Sequence, residues 1–408
     1  MIIRKIKPEE LKRTNELFAI AFECETDNIK SAKEVYEEVL SNPTSRGNVN
    51  WSERWAAFED DDRTMMSDFI VTPFPVNFDG NRCTMTGIGG VATLPQYRRS
   101  GGIRACFEAA LPSMFEDGVA FSYLYPFSTA YYRKFGYEMC CERLRYYIKL
   151  SAIRTYPVDG TCHLLEQGNI MLDEIKQIYE VWQNKYNMMI INEDYEYAWV
   201  SKSNPAKDQC FTYLYKSKAG VPKGFMTFRK EDDASGRNIR CSRFFYTDKE
   251  GFQGLINLLY TLASDHNYGI FELPTDQIIT PLFPEWSMGA GRCEKVFWGM
   301  IRVINVEKVL QMASYKGDGS IVIHITDAFI PQNNHKFYVH FKEGKADTVT
   351  ITEEPADISL GMNDFSRLIV GAYDTNALDY MEGVQINASL DKIAKVFYLK
   401  PNHITEYF

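Results

Sequence analysis

The clearest periodicity in the chain runs from Gly101 to Asp117. Ile103, Phe107, Ala110, Leu111 and Met114 fall on one face at helical spacing and predict an amphipathic helix. A β-rich run from Met85 to Leu94 precedes it and stops at Pro95. Upstream, Ile2–Ile6 reads as a short strand. Pro8 opens a helix, with Leu11, Phe18, Ala21 and Phe22 along one side. Residues 55–59, 66–76 and 82–94 alternate as a β-meander, with Asp79-Gly80-Asn81 as its turn. Downstream, Val119–Tyr125 is apolar and aromatic, a buried strand. Ser128 or Thr129 can cap a short helix that Gly136 ends, and a strand from Tyr137 to Ile148 follows.

The same rhythm returns. A helix over 172–186 precedes strand-like runs at 210–216, 224–229 and 240–246, a helix over 252–264 and a strand near 269–273. After residue 296 the pattern changes. Segments at 302–304 and 307–313 lead to runs at 319–327 and 336–341, an alternating run at 348–351, and helices at 363–370 and 389–397. The expectation is three units, 1–150, 151–295 and 296–408. The first two are α/β and the third α+β.

Composition agrees with several domains. The chain has 408 residues, too many for one core, with 45% hydrophobic and 24% charged residues. No run approaches the ~20 apolar residues of a membrane span, and the N-terminus lacks the apolar stretch of a signal peptide. Nine cysteines, an odd and scattered set without a CxxC pair, fit reduced thiols and a cytoplasmic protein. Six histidines show no metal-ligand spacing, so no metal is expected. A net charge of −9 argues against nucleic acid as a partner and suits a cationic small substrate.

Against that acidic background one basic loop stands out, Arg98-Arg99-Ser100-Gly101-Gly102-Ile103-Arg104. A strand, a glycine-containing basic loop and a helix N-terminus form an anion cradle, suited to a pyrophosphate. The loop has no GxxxxGK[ST] sequence and no GxGxxG directly between strand and helix. It is similar to the Arg/Gln-x-x-Gly-x-Gly/Ala loop of the GNAT acetyltransferases, with Ile103 where a small residue is usual. The segment Tyr131-Tyr132-Arg133-Lys134-Phe135-Gly136-Tyr137 resembles the end of the GNAT core, beside the acetyl-CoA thioester. Ile358-Ser-Leu-Gly-Met-Asn-Asp-Phe-Ser-Arg-Leu resembles a sterol-carrier-protein-like module.

Two GNAT-like units, a sterol-carrier-like unit and the end Thr405-Glu-Tyr-Phe408 together resemble the Eis family. The resemblance implies tandem GNAT domains followed by a sterol-carrier-protein-like α+β domain. It implies an acetyl-CoA-dependent N-acetyltransferase acting on amines such as aminoglycosides, assembled as a trimer or hexamer. It places Val91, Ala92 and Thr93 on the pantetheine and acetyl group, and Arg98, Arg99, Ser100, Gly101, Gly102, Ile103 and Arg104 on the pyrophosphate. Tyr132 would be the general acid and the terminal carboxylate of Phe408 the general base. Tyr131 is the neighbour most easily confused with Tyr132. The second unit's counterpart loop, Thr247–Gly254, is acidic and lacks the arginines, which predicts a scaffold without CoA. The alternative is a CoA-binding regulatory or lipid-carrier protein that keeps the scaffold without efficient catalysis.

Overall fold

A computed structural model of the chain describes residues 1–24, 54–283, 285–287 and 289–407. The contacts divide it into two compact units. One holds residues 1–140, 299–400 and 405–408, the other 141–298 and 401–404.

The first six strands are β1 (Ile2–Lys5), β2 (Arg54–Phe58), β3 (Met65–Phe78), β4 (Asn81–Thr93), β5 (Phe121–Leu124) and β6 (Glu138–Met139). β2, β3 and β4 pair antiparallel. Asp79 and Gly80, both at positive φ, form the tight turn between β3 and β4. β4 then pairs parallel with β5 across a connecting helix. Helix α1 (Leu11–Phe22) packs on β3 and β4. Helix α2 (Gly102–Glu116) buries Ile103, Phe107, Ala110, Leu111 and Met114, the face its periodicity predicts. The short α3 (Thr129–Arg133) is capped by Ser128, whose hydroxyl accepts the Tyr131 N–H at 3.3 Å.

The strand expected as one piece over 137–148 is broken. Cys140 and Cys141 interrupt it, with Cys141 at φ 52, a conformation a ladder cannot carry. β6 stays in the first sheet, while β7 (Glu142–Lys149) begins the second unit. That sheet continues with β8 (Thr161–Leu164), β9 (Cys210–Lys216), β10 (Pro222–Asp233), β11 (Gly236–Tyr246), β12 (Tyr268–Pro274) and β13 (Gly291–Phe297). β9, β10 and β11 pair antiparallel, and β11 pairs parallel with β12 across a helix, repeating β2 to β5. Helix α4 (Leu172–Lys185) and helix α5 (Lys249–Thr261) cover this sheet.

The chain then supplies β14 (Met300–Val303) to the first unit's sheet, between β5 and β6. Helix α6 (Val306–Met312) leads into a five-stranded sheet of β15 (Gly319–Thr326), β16 (Lys336–Lys342), β17 (Lys345–Ile351), β18 (Ile358–Gly361) and β19 (Gln385–Ile386). Helix α7 (Met362–Ile369) packs on β14 and β18. The helix predicted over 389–397 is shorter, Leu390–Ile393.

Candidate active site

The parallel ladder between β4 and β5 covers only four pairs, from Met85↔Phe121 to Ile88↔Leu124. β4 continues to Thr93 with no ladder partner on its β5 side. The two strands therefore diverge and leave a cleft. On the other side the β3–β4 register shifts between Asp68 and Ile70. Asp68 pairs with Ala92 and Ile70 with Gly89, so Gly90 and Val91 share one opposing residue, Phe69. This is a β-bulge, with Gly90 at φ +59. A bulge re-aims backbone groups, and here it does so where β5 departs. The adjacent glycines 89 and 90 inside a strand pattern were its only trace in the sequence.

The basic loop lies beyond Thr93. The Ser100 hydroxyl and N–H both bond Tyr97 O, at 2.6 and 3.2 Å, closing the turn. Arg99 and Gly101 take positive φ and turn the chain into α2. The N–H groups of Gly101, Gly102, Ile103 and Arg104 make no hydrogen bond with any described residue. These are the open donors of a helix N-terminus, at the positive end of a 15-residue dipole. Arg98 and Arg99 are exposed and form no ion pair among the described residues. Arg104 is committed to Glu108 at 2.9 Å. Gly102 is buried against β2 and β3, where a Cβ would stand 2.7 Å from Ser67 Oγ and 3.3 Å from Ala57 Cβ. Ala92 and Ile103 point their side chains into cores, so their share in binding is limited to backbone. Thr93 Oγ1 donates to Ser67 Oγ at 3.0 Å. The loop thus offers open N–H donors and two uncommitted guanidinium groups, a donor set that suits the pyrophosphate of acetyl-CoA.

Tyr132 sits on α3, buried to 2% among Phe107, Phe127, Tyr131 and Tyr137. Burial raises its phenol pKa, and Tyr131 and Tyr137 add to this, so it keeps its proton at neutral pH. Its hydroxyl makes no hydrogen bond with a described residue. Tyr137, by contrast, is committed to Ser122 Oγ at 2.7 Å. Tyr131 is only half-buried. Phe135 stacks on Phe107 with ring centroids 4.3 Å apart, which fixes α3 on α2. The C-terminal segment docks here too. The Tyr125 hydroxyl, one residue past β5, donates to Glu406 O, and the Tyr125 and Tyr407 rings lie 4.6 Å apart. Phe408, expected to carry the base, lies outside the described residues. No group of three metal-ligating side chains occurs among the described residues. No described helix is long and apolar enough to cross a membrane. None of the nine cysteines is bridged.

The second unit lacks this cradle. Asp248 caps α5 itself, accepting the Gly251 N–H at 3.0 Å, and also pairs with Lys223. The ladder of β11 and β12 is again short, but Phe244 and Phe271 stack at 4.4 Å where the strands diverge.

Residues 2–140 match the family described as acetyltransferase (GNAT) domain, and residues 306–404 the sterol carrier protein domain. No curated protein matches the chain in sequence. Solved structures share its fold from end to end. A protein of unknown function from Enterococcus faecalis V583, described as a probable N-acyltransferase, is 24% identical. The match covers 100% of this chain and 99% of that one, with a TM-score of 0.83. A GCN5-related N-acetyltransferase from Anabaena variabilis is 17% identical, covering 100% of both chains, with a TM-score of 0.83. Eis1 from Mycobacterium abscessus is 18% identical, covering 100% of both chains, with a TM-score of 0.78. The chain therefore carries an acetyltransferase (GNAT) domain at residues 2–140 and a sterol carrier protein domain at 306–404, in the fold that Eis1 also has.

Proposed function

We propose that the protein transfers acetyl from acetyl-CoA to an amine of a cationic small molecule, with aminoglycosides as the first class to test. The observation that carries this reading is the bulged, diverging end of β4 beside the open N-terminus of α2 and the buried Tyr132. Acetyl-CoA brings the activated acetyl group. The residues of the chain do the rest. Backbone N–H groups around Val91, at the bulge, stabilise charge on the carbonyl oxygen. Arg98, Arg99 and the N–H groups of residues 101–104 hold the pyrophosphate. Tyr132, protonated in its apolar setting, donates to the departing sulfur, whose intrinsic pKa is ~8.5. An alkylammonium with a pKa near ~10 must lose a proton before it attacks. The terminal carboxylate takes that role, brought near by the docking of Glu406 and Tyr407 on Tyr125. The protein acts in the cytoplasm as a homo-oligomer, a trimer or hexamer, with no nucleic-acid, membrane or metal partner. The second unit is a scaffold that binds no CoA, in keeping with its self-capped α5.

The test is CoA release from acetyl-CoA with aminoglycosides, polyamines and lysine peptides. Turnover confined to cationic amines supports the reading. CoA release that no acceptor stimulates would favour a CoA-binding regulatory protein.

A further inference from the structure

A cavity of about 430 Å³ is walled by the turn after α3, by β14, by the segment that ends β15 and by the start of α7. All of these belong to the first unit. Arg302 is the buried cation among the lining residues, 0% exposed. A guanidinium carries five N–H donors. Nη2 of Arg302 bonds Asp327 Oδ1 and Oδ2, each at 2.8 Å. Nε and Nη1 are buried and have no hydrogen-bond partner among the described residues. Asp327 does not fully offset the charge, because its carboxylate also accepts from Asn333 Nδ2 and from the Phe329 N–H, both at 2.9 Å. Gly136 keeps the space open beside Nη1. A Cβ there would stand 2.0 Å from Nη1 and 3.2 Å from Met362 Cγ.

Two further positive features line the cavity. α7 starts here with no side-chain cap, and the N–H groups of Asn363 and Asp364 bond no described residue. Such an open first turn carries partial positive charge. Lys134 is exposed and forms no ion pair among the described residues. The neighbouring acids are already engaged, Asp364 with Arg367 and Glu138 with Arg133. Buried polar groups are nearly always paired, so buried donors left open in a cavity wall call for an acceptor from outside the chain. Here that acceptor must also carry negative charge, since an under-neutralised guanidinium, a lysine and a helix start converge on one space.

We infer that this cavity binds a small phosphate-bearing anion, recognised by Arg302, Lys134 and the first turn of α7. Donors drawn from three separate elements suit a tetrahedral group, with acceptors on every side, better than a planar carboxylate. The volume exceeds a bare phosphate ion and lies in the range of small-molecule sites, so a phosphate monoester with a short organic body fits. None of the residues assigned to acetyl transfer lines the cavity, so the inference goes beyond that reading and does not depend on it.

The test is calorimetric titration of the full chain with glycerol 3-phosphate and with inorganic phosphate, against sodium chloride at matched ionic strength. The parent protein carries Arg98→Ala and Arg99→Ala, so that the basic loop before α2 does not capture the phosphate. In that parent at least one probe should bind above the chloride control. The tighter probe names the source, a phosphate monoester or free phosphate. Lys134→Gln removes one charge from the cavity and should weaken binding ~5-fold or more. Ala328→Trp places a bulky ring on another lining position, leaves every charge in place and should abolish binding of glycerol 3-phosphate. Both positions are exposed, so both variants should keep the parent's melting temperature. If neither probe binds above the chloride control, the inference is overturned. Binding that both variants retain at the parent's affinity overturns it equally, because the phosphate would then lie elsewhere on the chain.

Discussion

A methyl group on Gly136 would stand 2.0 Å from Nη1 of Arg302. Arg302 belongs to β14 and is wholly buried. Its Nη2 bonds both oxygens of Asp327 at 2.8 Å, and Asn333 donates to the same carboxylate. The contact joins the Phe135-Gly136-Tyr137 turn of the GNAT core to a strand contributed from far along the chain. Gly136 also sits at φ +84, where a side chain is strained.

Gly136→Ala should therefore destabilise the first unit by about 3 kcal/mol or more, because it forces Arg302 off its buried counter-charge Asp327. Thermal unfolding checks this. A variant as stable as the wild type would mean that Arg302 moves aside freely and that the Arg302–Asp327 pair is not what the turn rests on.

Much of the local structure around the candidate site was legible in the sequence. The α2 periodicity named the buried residues one by one, because a helix packed on a sheet leaves a 3.6-residue signature. The open cradle followed from arginines, glycines and a helix start lying within seven residues of sequence. What escaped depends on residues distant in sequence. Nothing in Met300–Val303 says that it slots between β5 and β6, and nothing in Arg302 alone predicts its fit against Gly136. The break at Cys140-Cys141 was hidden because both residues are apolar and β-compatible, so the pattern ran straight through. Asp68 escaped for the opposite reason. A carboxylate in a strand reads as solvent-facing, and this one is buried.

Asp68 lies opposite Ala92, next to the bulge, and is 1% exposed. Among the described residues its ion-pair partner is Arg54, 3.7 Å away and too far for a hydrogen bond, and Oδ1 has no hydrogen-bond partner. Burial, only partly offset by Arg54, raises its pKa to about 7, against ~3.9 in the unfolded chain. Between those values the folded state holds a proton that the unfolded state lacks. This group's contribution to stability therefore falls as pH rises from about 4 to 7. Asp68→Asn cannot ionise. From pH 5 to pH 8 the wild type should lose stability relative to Asp68→Asn, as read from paired denaturant curves. Parallel pH profiles would show that Asp68 is ionised throughout.

Arg98 and Arg99 carry the next test. Replacing both with alanine removes two charge-assisted contacts from the loop but leaves the α2 N–H groups in place. Each such contact contributes a modest amount at an exposed site, so the acetyl-CoA KM should rise roughly tenfold or more. kcat at saturation should change little. Arg104→Ala should do less, since Glu108 already engages that guanidinium. A double variant with wild-type KM would remove the pyrophosphate from this loop.

Tyr132 is tested best against its neighbour. Tyr132→Phe keeps the ring that packs on Phe107, Phe127 and Tyr131 and deletes only the hydroxyl. That hydroxyl has no hydrogen bond with a described residue to lose, so stability and acetyl-CoA affinity should survive. The proton for the departing sulfur would be missing, and general acid groups typically contribute ~10²–10⁴-fold, so kcat should fall within that range. Tyr131→Phe should do far less, since adjacent side chains leave a helix about 100° apart and cannot both face the cleft. The two rings meet edge to face, with centroids 5.3 Å apart and an interplanar angle of 86°, so each hydroxyl has its own direction. Steady-state kinetics on the pair decides the assignment. Equal small losses would make both tyrosines packing residues, and a large loss at Tyr131 alone would move the acid by one position along α3.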